Sequence, residues 1–222
     1  MGSGRKGGGR APSPSLALVA LLALAGRAVR REVLADRLWS EADAAHGAAS
    51  LRSALWRLGR ILPALVSADR THVCLGEAVA VDVDGARSRA RRAVEDPEFA
   101  TRASIAAFEA DVLPEFYDDW AIVEHERYRQ QRLHALEAIA RACASTGLWA
   151  RAIDAAGTAI AAEPLRESAH RLLVELHLAE GNLEEARRAY DRCRILLAAE
   201  LGVEPSRPFD ALTAPSAQPL SA

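Results

Sequence analysis

AASLRSALWRLGRIL, residues 48–62, predicts the amphipathic helix around which the fold is organised. Its apolar side chains recur at the spacing of one helix face: Leu51, Leu55, Leu58 and Leu62. A second face carries hydroxyl and guanidinium groups: Ser50, Ser53, Arg57 and Arg60. No acidic residue interrupts the stretch, and guanidinium groups match phosphate oxygens and the edge of guanine. We therefore expect this helix to lie in the major groove of DNA; the alternative is an ordinary surface helix with solvated arginines.

The charge is unevenly distributed along the 222 residues. Residues 1–92 hold 15 basic and 8 acidic side chains, whereas residues 93–222 hold 13 and 22. A basic front half and an acidic rear half favour a nucleic-acid-binding module joined to a second domain. The three cysteines, Cys74, Cys143 and Cys193, are far apart and form no CxxC pair, which excludes a zinc finger and suits a reducing cytoplasm.

The first 25 residues divide into a polar and an apolar part. Residues 1–15 are rich in Gly, Ser, Pro and Arg, and they predict a flexible tail. Residues 16–25, LALVALLALA, are too short to span a bilayer, and we expect a buried helix that ends at Gly26. The alternative is a signal peptide cleaved after Ala25, which would make the chain an exported helical protein.

The next segments complete a predicted helix-turn-helix with a wing. Residues 30–39, RREVLADRLW, predict a short second helix, so that residues 48–62 form the third. Val73 and Leu75, and then residues 79, 81 and 83, alternate with polar neighbours on either side of Gly76, which predicts a β-hairpin. Its residues Arg70, Thr71 and His72 would reach the sugar-phosphate backbone or the minor groove.

The rear half has a helical pattern almost throughout. We expect a helix from near Asp84 that breaks at Pro97, and its run of arginines at 87, 89, 91 and 92 forms either phosphate contacts or a solvated linker face. Residues 116–146 predict one long helix or two abutting helices. GLWARA at 147–152 then aligns with GNLEEA at 181–186, and this separation of 34 residues is the tetratricopeptide spacing.

Catalytic and metal-binding motifs are missing from the sequence. His125-Glu126 does not continue as HExxH, and there is no GxSxG motif and no Walker lysine. His170 and His177 are interpreted as histidines on a helix surface. We therefore expect a protein that is not an enzyme and that holds no cofactor or metal.

Six segments resemble a known family of regulators. Residues 27–39 (RAVRREVLADRLW), 49–58 (ASLRSALWRL) and 68–73 (ADRTHV) resemble the winged-helix half of the actinobacterial antibiotic regulatory proteins. Residues 112–120 (VLPEFYDDW), 163–170 (EPLRESAH) and 200–205 (ELGVEP) resemble the bacterial transcriptional activator domain that follows it.

The resemblance implies an activator that binds direct repeats near a promoter, often as a dimer, and contacts RNA polymerase. It implies a recognition-helix surface of Arg52, Ser53, Trp56 and Arg57 and a wing of Arg70, Thr71 and His72, although Trp56 could equally cap the core. One feature departs from the family, because a Gly-rich tail replaces a small antiparallel sheet before the first helix. We expect this loss to expose apolar surface on Leu18, Leu21 or Leu22.

The predicted fold class is mainly α: a winged helix-turn-helix of three helices and a hairpin, without the N-terminal sheet, followed by an all-α tetratricopeptide-like domain. The predicted limits are 1–15 for the tail, 16–92 for the winged helix, 93–205 for the helical repeats and 206–222 for a disordered tail. The predicted function is a cytoplasmic activator that binds double-stranded promoter DNA and RNA polymerase, with a homodimer possible and no membrane. The alternative is a protein-interaction module whose front domain does not bind DNA.

Overall fold

The computed structural model describes residues 13–206 and residue 209. Nine helices and three strands follow one another in this part of the chain: α1 (Pro14–Ala25), β1 (Val29–Arg30), α2 (Arg31–Leu38), α3 (Ala44–Ile61), β2 (Val66–Ala68), β3 (His72–Leu75), α4 (Asp82–Glu95), α5 (Pro97–Arg102), α6 (Asp119–Ser145), α7 (Trp149–Ala162), α8 (Glu167–Glu180) and α9 (Leu183–Leu201). A 3-10 turn at Ile105–Phe108 lies between α5 and α6. The predicted fold class is confirmed.

The described residues form two compact units. Unit 1 contains residues 13–87 and 111–129, and unit 2 contains residues 88–110, 130–206 and 209. Helices α4 and α6 each contribute residues to both units. The domain limits drawn from the sequence, 16–92 and 93–205, remain a prediction. The predicted tails, 1–15 and 206–222, lie outside the described residues except for 13–15, 206 and 209.

Helix α1 is buried on two sides, and this corrects the expectation of exposed apolar surface. Leu18, Leu21 and Leu22 are at most 3% exposed, because they pack in one core with residues of α2, α3 and β3. The small side chains on the remaining face, at positions 17 and 20, pack with Phe116 and Ala121 from the segment 111–129. A segment distant in sequence therefore covers the helix. Gly26 ends α1 in the left-handed conformation, as predicted.

A three-stranded antiparallel sheet follows the order β1-β3-β2. A hairpin follows α3, but its strands are β2 and β3 and its turn lies at residues 69–71, so the prediction of a hairpin around Gly76 with a strand at 79–83 is wrong. Val83 instead lies buried in α4. The chain leaves β3 at Gly76, where a Cβ atom would overlap the carbonyl oxygen of Ala64. Only glycine fits this close approach, which ends the hairpin.

The predicted 34-residue repeat is confirmed by matching turns in unit 2. Gly147 ends α6 and Gly181 ends α8, with φ of +75° and +89°. The next residue in each turn donates its backbone N–H to a carbonyl five residues earlier, at 2.9 Å for Leu148 and 2.7 Å for Asn182. The two alanines that the repeat equates, at positions 152 and 186, are fully buried. Each unit of the repeat is therefore a helix pair that closes through a glycine turn.

His170 is not the surface histidine that the sequence predicted. Its ring is buried, and its Nε2 atom lies 2.8 Å from the carbonyl oxygen of Pro164. Burial lowers the pKa of His170 below its ordinary value. The ring thus joins α8 to the turn that precedes it.

Candidate nucleic-acid interface

Helix α3 begins four residues earlier than the sequence predicted. The carboxylate of Asp43 caps its first turn, because it accepts hydrogen bonds from the backbone N–H of His46 at 2.8 Å and pairs with the His46 ring at 2.8 Å. These hydrogen bonds lower the pKa of Asp43. Residues 44–47 therefore belong to the helix and not to the connection between the second and third predicted helices.

One face of α3 packs on the core and the opposite face is exposed. The buried side chains are Leu51, Ala54 and Leu58, and Gly47 lies against Ala35 of α2. Leu62 is not part of this face, since α3 ends at Ile61 and Leu62 is 53% exposed. The exposed side chains include five of the predicted site residues: Arg52, Ser53, Trp56, Arg57 and Arg60. Ser50 is half-buried at the edge of this surface.

Trp56 lies on the surface and does not cap the core. Its side chain is 64% exposed, and the guanidinium carbon of Arg60 lies 5.0 Å from the centre of its ring. This distance is typical of a cation–π contact. Trp56 lines a shallow groove on α3 together with Arg52, Ser53 and Arg57. The hydroxyl of Ser53 is already engaged, because it donates to the Ala49 carbonyl at 3.0 Å.

Asp69 builds the turn of the hairpin, which we call the wing (residues 66–75). Its carboxylate accepts hydrogen bonds from the backbone N–H of His72 at 2.7 Å and of Thr71 at 2.6 Å, and from the Thr71 hydroxyl at 3.0 Å. These bonds lower the pKa of Asp69 to about 2, so the group is ionised at neutral pH. Thr71 and the half-buried His72 therefore hold the turn, while Arg70 projects from its tip as an exposed side chain.

Arg31 fixes the wing to the first turn of α2, and sequence reasoning did not single it out. Its backbone N–H donates to the Thr71 carbonyl at 2.9 Å, and its Nε donates to the Asp69 carbonyl at 2.9 Å. A depression between α2, α3 and the wing is lined by both Arg52 and Arg70, and on the α2 side also by Glu32 and Asp36. The wing arginine and the helix arginine thus border the same surface. The Asp-x-Thr pattern of an Asx turn was a signal for Asp69, but no local pattern pointed to Arg31.

The arginines of this surface lack acidic partners. Within the described part of the chain, no carboxylate pairs with Arg52, Arg57 or Arg70, whereas many other arginines form ion pairs. Arg87, from the predicted basic run, is one of the paired residues. Its guanidinium lies 2.6 Å from Glu124 and donates to the Leu24 carbonyl at 3.2 Å, so Arg87 belongs to the packing of unit 1.

Residues 13–206 and 209 contain neither a membrane-spanning helix nor a metal-binding cluster. Their helices include none with the length and apolar character needed to cross a membrane. They also contain no group of three or more His, Cys, Asp or Glu side chains placed to hold a metal ion.

Residues 75–214 match the family described as the bacterial transcriptional activator domain. The chain belongs to this family. Its sequence is 30% identical over 205 residues to the regulatory protein AfsR of Streptomyces coelicolor, and 28% identical over 204 residues to AfsR of Streptomyces griseus. Each match covers 87% of this chain and 21% of the relative, so the chain spans about a fifth of the length of these regulators. The family is one of regulators and not of enzymes.

A solved structure has the same fold. It is Mycobacterium tuberculosis EmbR in complex with a low-affinity phosphopeptide, and it superimposes with a TM-score of 0.60 over 91% of this chain and 58% of that chain. At 19% identity, this likeness concerns the fold alone. The resemblance to the antibiotic regulatory type of transcriptional activator, drawn above from six segments, is confirmed.

Proposed function

We propose that the chain activates transcription by binding duplex promoter DNA, with α3 in the major groove and the wing against the adjacent backbone. One observation supports this most strongly: exposed guanidinium groups without acidic partners lie on α3 and, at Arg70, on the neighbouring wing. An α-helix fits the width of the major groove, and unpaired arginines supply the charge that phosphates attract.

Seven of the predicted site residues fall into four roles in this proposal. Arg52 and Arg57 lie on the central surface of α3, from which they reach base edges or phosphates. Arg70 contacts the phosphate backbone or the minor groove. Ser50 and Ser53 lie beside the phosphates at the helix surface, while Thr71 and His72 act mainly by shaping the turn.

The helical repeats of unit 2 are proposed to contact RNA polymerase in the cytoplasm, and a homodimer would place two copies on repeated half-sites. Stacked helix pairs offer extended surfaces for protein partners. The family membership and the regulatory relatives support this part of the proposal. Its test is transcription in vitro, in which the full chain should stimulate a promoter that carries its binding site and leave a promoter without that site unchanged.

DNA binding is tested by the gel shift of duplex selected from a random library, at physiological salt. The variant Arg52→Ala/Arg57→Ala should bind at least tenfold more weakly, because each arginine that reads a base accounts for about 1–3 kcal/mol. Arg188→Ala on α9 is the matched control, since it also removes an exposed guanidinium but should leave binding unchanged. If the double variant binds duplex as tightly as the wild-type chain, α3 is ruled out as the helix that contacts DNA.

The protein-interaction alternative was favoured by the absence of the N-terminal sheet that the family resemblance implies. The apolar surface that this absence was expected to expose on α1 is covered by other segments of unit 1. A full chain that fails to shift any duplex, yet still binds polymerase, would support this alternative.

A further inference from the structure

Trp56 occupies the centre of the exposed face of α3. With about 100° between successive residues of an α-helix, position 56 lies about 180° from position 47, in the middle of the buried face. Ala45 and Ala49 lie on the same outward line, about three and about two turns before the indole, so small side chains precede it along the helix. When such a helix enters a groove, the residue opposite the core faces the groove floor.

The exposed indole cannot be explained by the packing of unit 1. Its 64% exposure leaves most of its apolar surface in water, which contributes little to folding. Its contact with Arg60, at 5.0 Å from the ring centre, restricts how the ring can turn. Arg52 and Arg57 border the same shallow groove. The indole is therefore an exposed apolar ring whose orientation is restricted by Arg60 and which has the guanidinium groups of Arg52 and Arg57 beside it.

An apolar group set among cations fits a ligand that is apolar at one point and anionic around it. The major groove provides this combination, because the 5-methyl of thymine is its apolar group and phosphates line both edges. A protein partner would instead need acidic side chains around an apolar residue.

We propose that Trp56 reads thymine in the major groove through the 5-methyl group, while Arg52 or Arg57 reads a neighbouring guanine. This inference rests on the proposed function, and it adds the base that the indole recognises. Arg60 is a positioning residue for the ring and contacts a phosphate.

The test removes the methyl group from the DNA and the indole from the protein. Duplexes are selected with the full chain from a random library and then amplified with dTTP or with dUTP, which differ in this methyl alone. The wild-type chain should bind the dUTP form about fourfold more weakly for each methyl group that the indole covers, from about 0.8 kcal/mol per buried carbon group. Single uracil substitutions should locate the effect at one or two positions.

Trp56→Ala should bind the thymine and uracil forms equally, at the affinity of the wild type for the uracil form. Ile61→Ala is the matched control, because Ile61 is 75% exposed at the end of the same helix and lies off the outward line. It should retain the full preference for thymine. Because both side chains are exposed, neither variant should lose stability, which thermal unfolding verifies.

Two results would overturn the inference while DNA binding stands. One is a wild-type chain that binds both forms equally, and the other is a Trp56→Ala variant that keeps the preference for thymine. The second result would assign the indole to a protein partner. A wild-type chain that enriches no duplex at all is a different failure, since it removes the proposed function as well.

Discussion

Neutral replacement of the arginines on α3 and the wing should flatten the salt dependence of DNA binding. Four exposed guanidinium groups are available for phosphates: Arg52, Arg57, Arg60 and Arg70. If each neutralises one phosphate, the plot of log affinity against log salt has a slope of about −3.6, since each contact contributes about −0.9. Raising the salt from about 50 to about 200 mM should then weaken binding roughly 150-fold.

The double variant Arg52→Ala/Arg57→Ala should reduce the slope to about −1.8 and the loss over the same range to roughly 12-fold. Fluorescence anisotropy of a labelled duplex at five or six salt concentrations measures both numbers. Arg188→Ala, on α9, should keep the wild-type slope. An arginine that reads a base instead changes affinity more than slope. The reasoning is refuted if the double variant changes neither the slope nor the affinity at any salt concentration.

Three further predictions concern the framework that holds this surface. Leu22→Ala should reduce the free energy of unfolding by about 2–5 kcal/mol in urea titration, because Leu22 is 1% exposed, whereas Leu16→Ala, at a site 52% exposed, should change it by less than about 0.5 kcal/mol. Gly181→Ala should destabilise the fold by about 1–2 kcal/mol because φ there is +89°, whereas Gly157→Ala inside α7 should stabilise the fold by up to about 1 kcal/mol. Stabilisation by Gly181→Ala together with destabilisation by Gly157→Ala would contradict the assigned turn. The Asp69 carboxyl should titrate with a pKa of about 2. Its contribution to the stability of the turn should be fully present above the pKa of the unfolded chain, near 3.8, and should be lost as the pH falls through about 2. Carbon NMR of the carboxyl follows this titration, and a midpoint near 4 would show that the turn is not built as described.

The local features of the fold were predictable from the sequence. Amphipathic spacing located α3, the glycines at 147 and 181 located the repeat turns, and Gly26 marked the end of α1. Each of these depends on a few neighbouring residues. The alternation that predicted a strand at 79–83 was misleading, because an irregular segment followed by the first turn of a helix places apolar residues at the same short spacing.

Features that depend on distant contacts were not predictable in the same way. The burial of α1 requires Phe116 and Ala121, about a hundred residues further along the chain, and no local pattern joins these segments. Likewise β1 is two residues long, and only its pairing with β3 makes it a strand. His170 has a sequence environment like that of a surface histidine, and its burial follows from the packing of α8.

In the candidate site, too, local features were predictable from the sequence and long-range contacts were not. Sequence alone selected the exposed arginines of α3 and the tip of the wing, because charge and helical spacing are visible in the chain. It left the position of Trp56 open between core and surface, and only the structure places the ring outside. It also missed Arg31, whose hydrogen bonds to the wing join residues 38 and 40 positions apart.

The position of α3 in the major groove is tested most directly by methylation interference. Guanine N7 lies in the major groove, so a methyl group placed there blocks a helix that reads this groove. The account predicts that methylation at one or more guanines of the selected site abolishes binding by the wild-type chain. It also predicts that Arg52→Ala or Arg57→Ala becomes insensitive to methylation at one of those guanines. Binding that tolerates N7 methylation at every guanine of the site, in a duplex bound with sequence preference, would contradict the account.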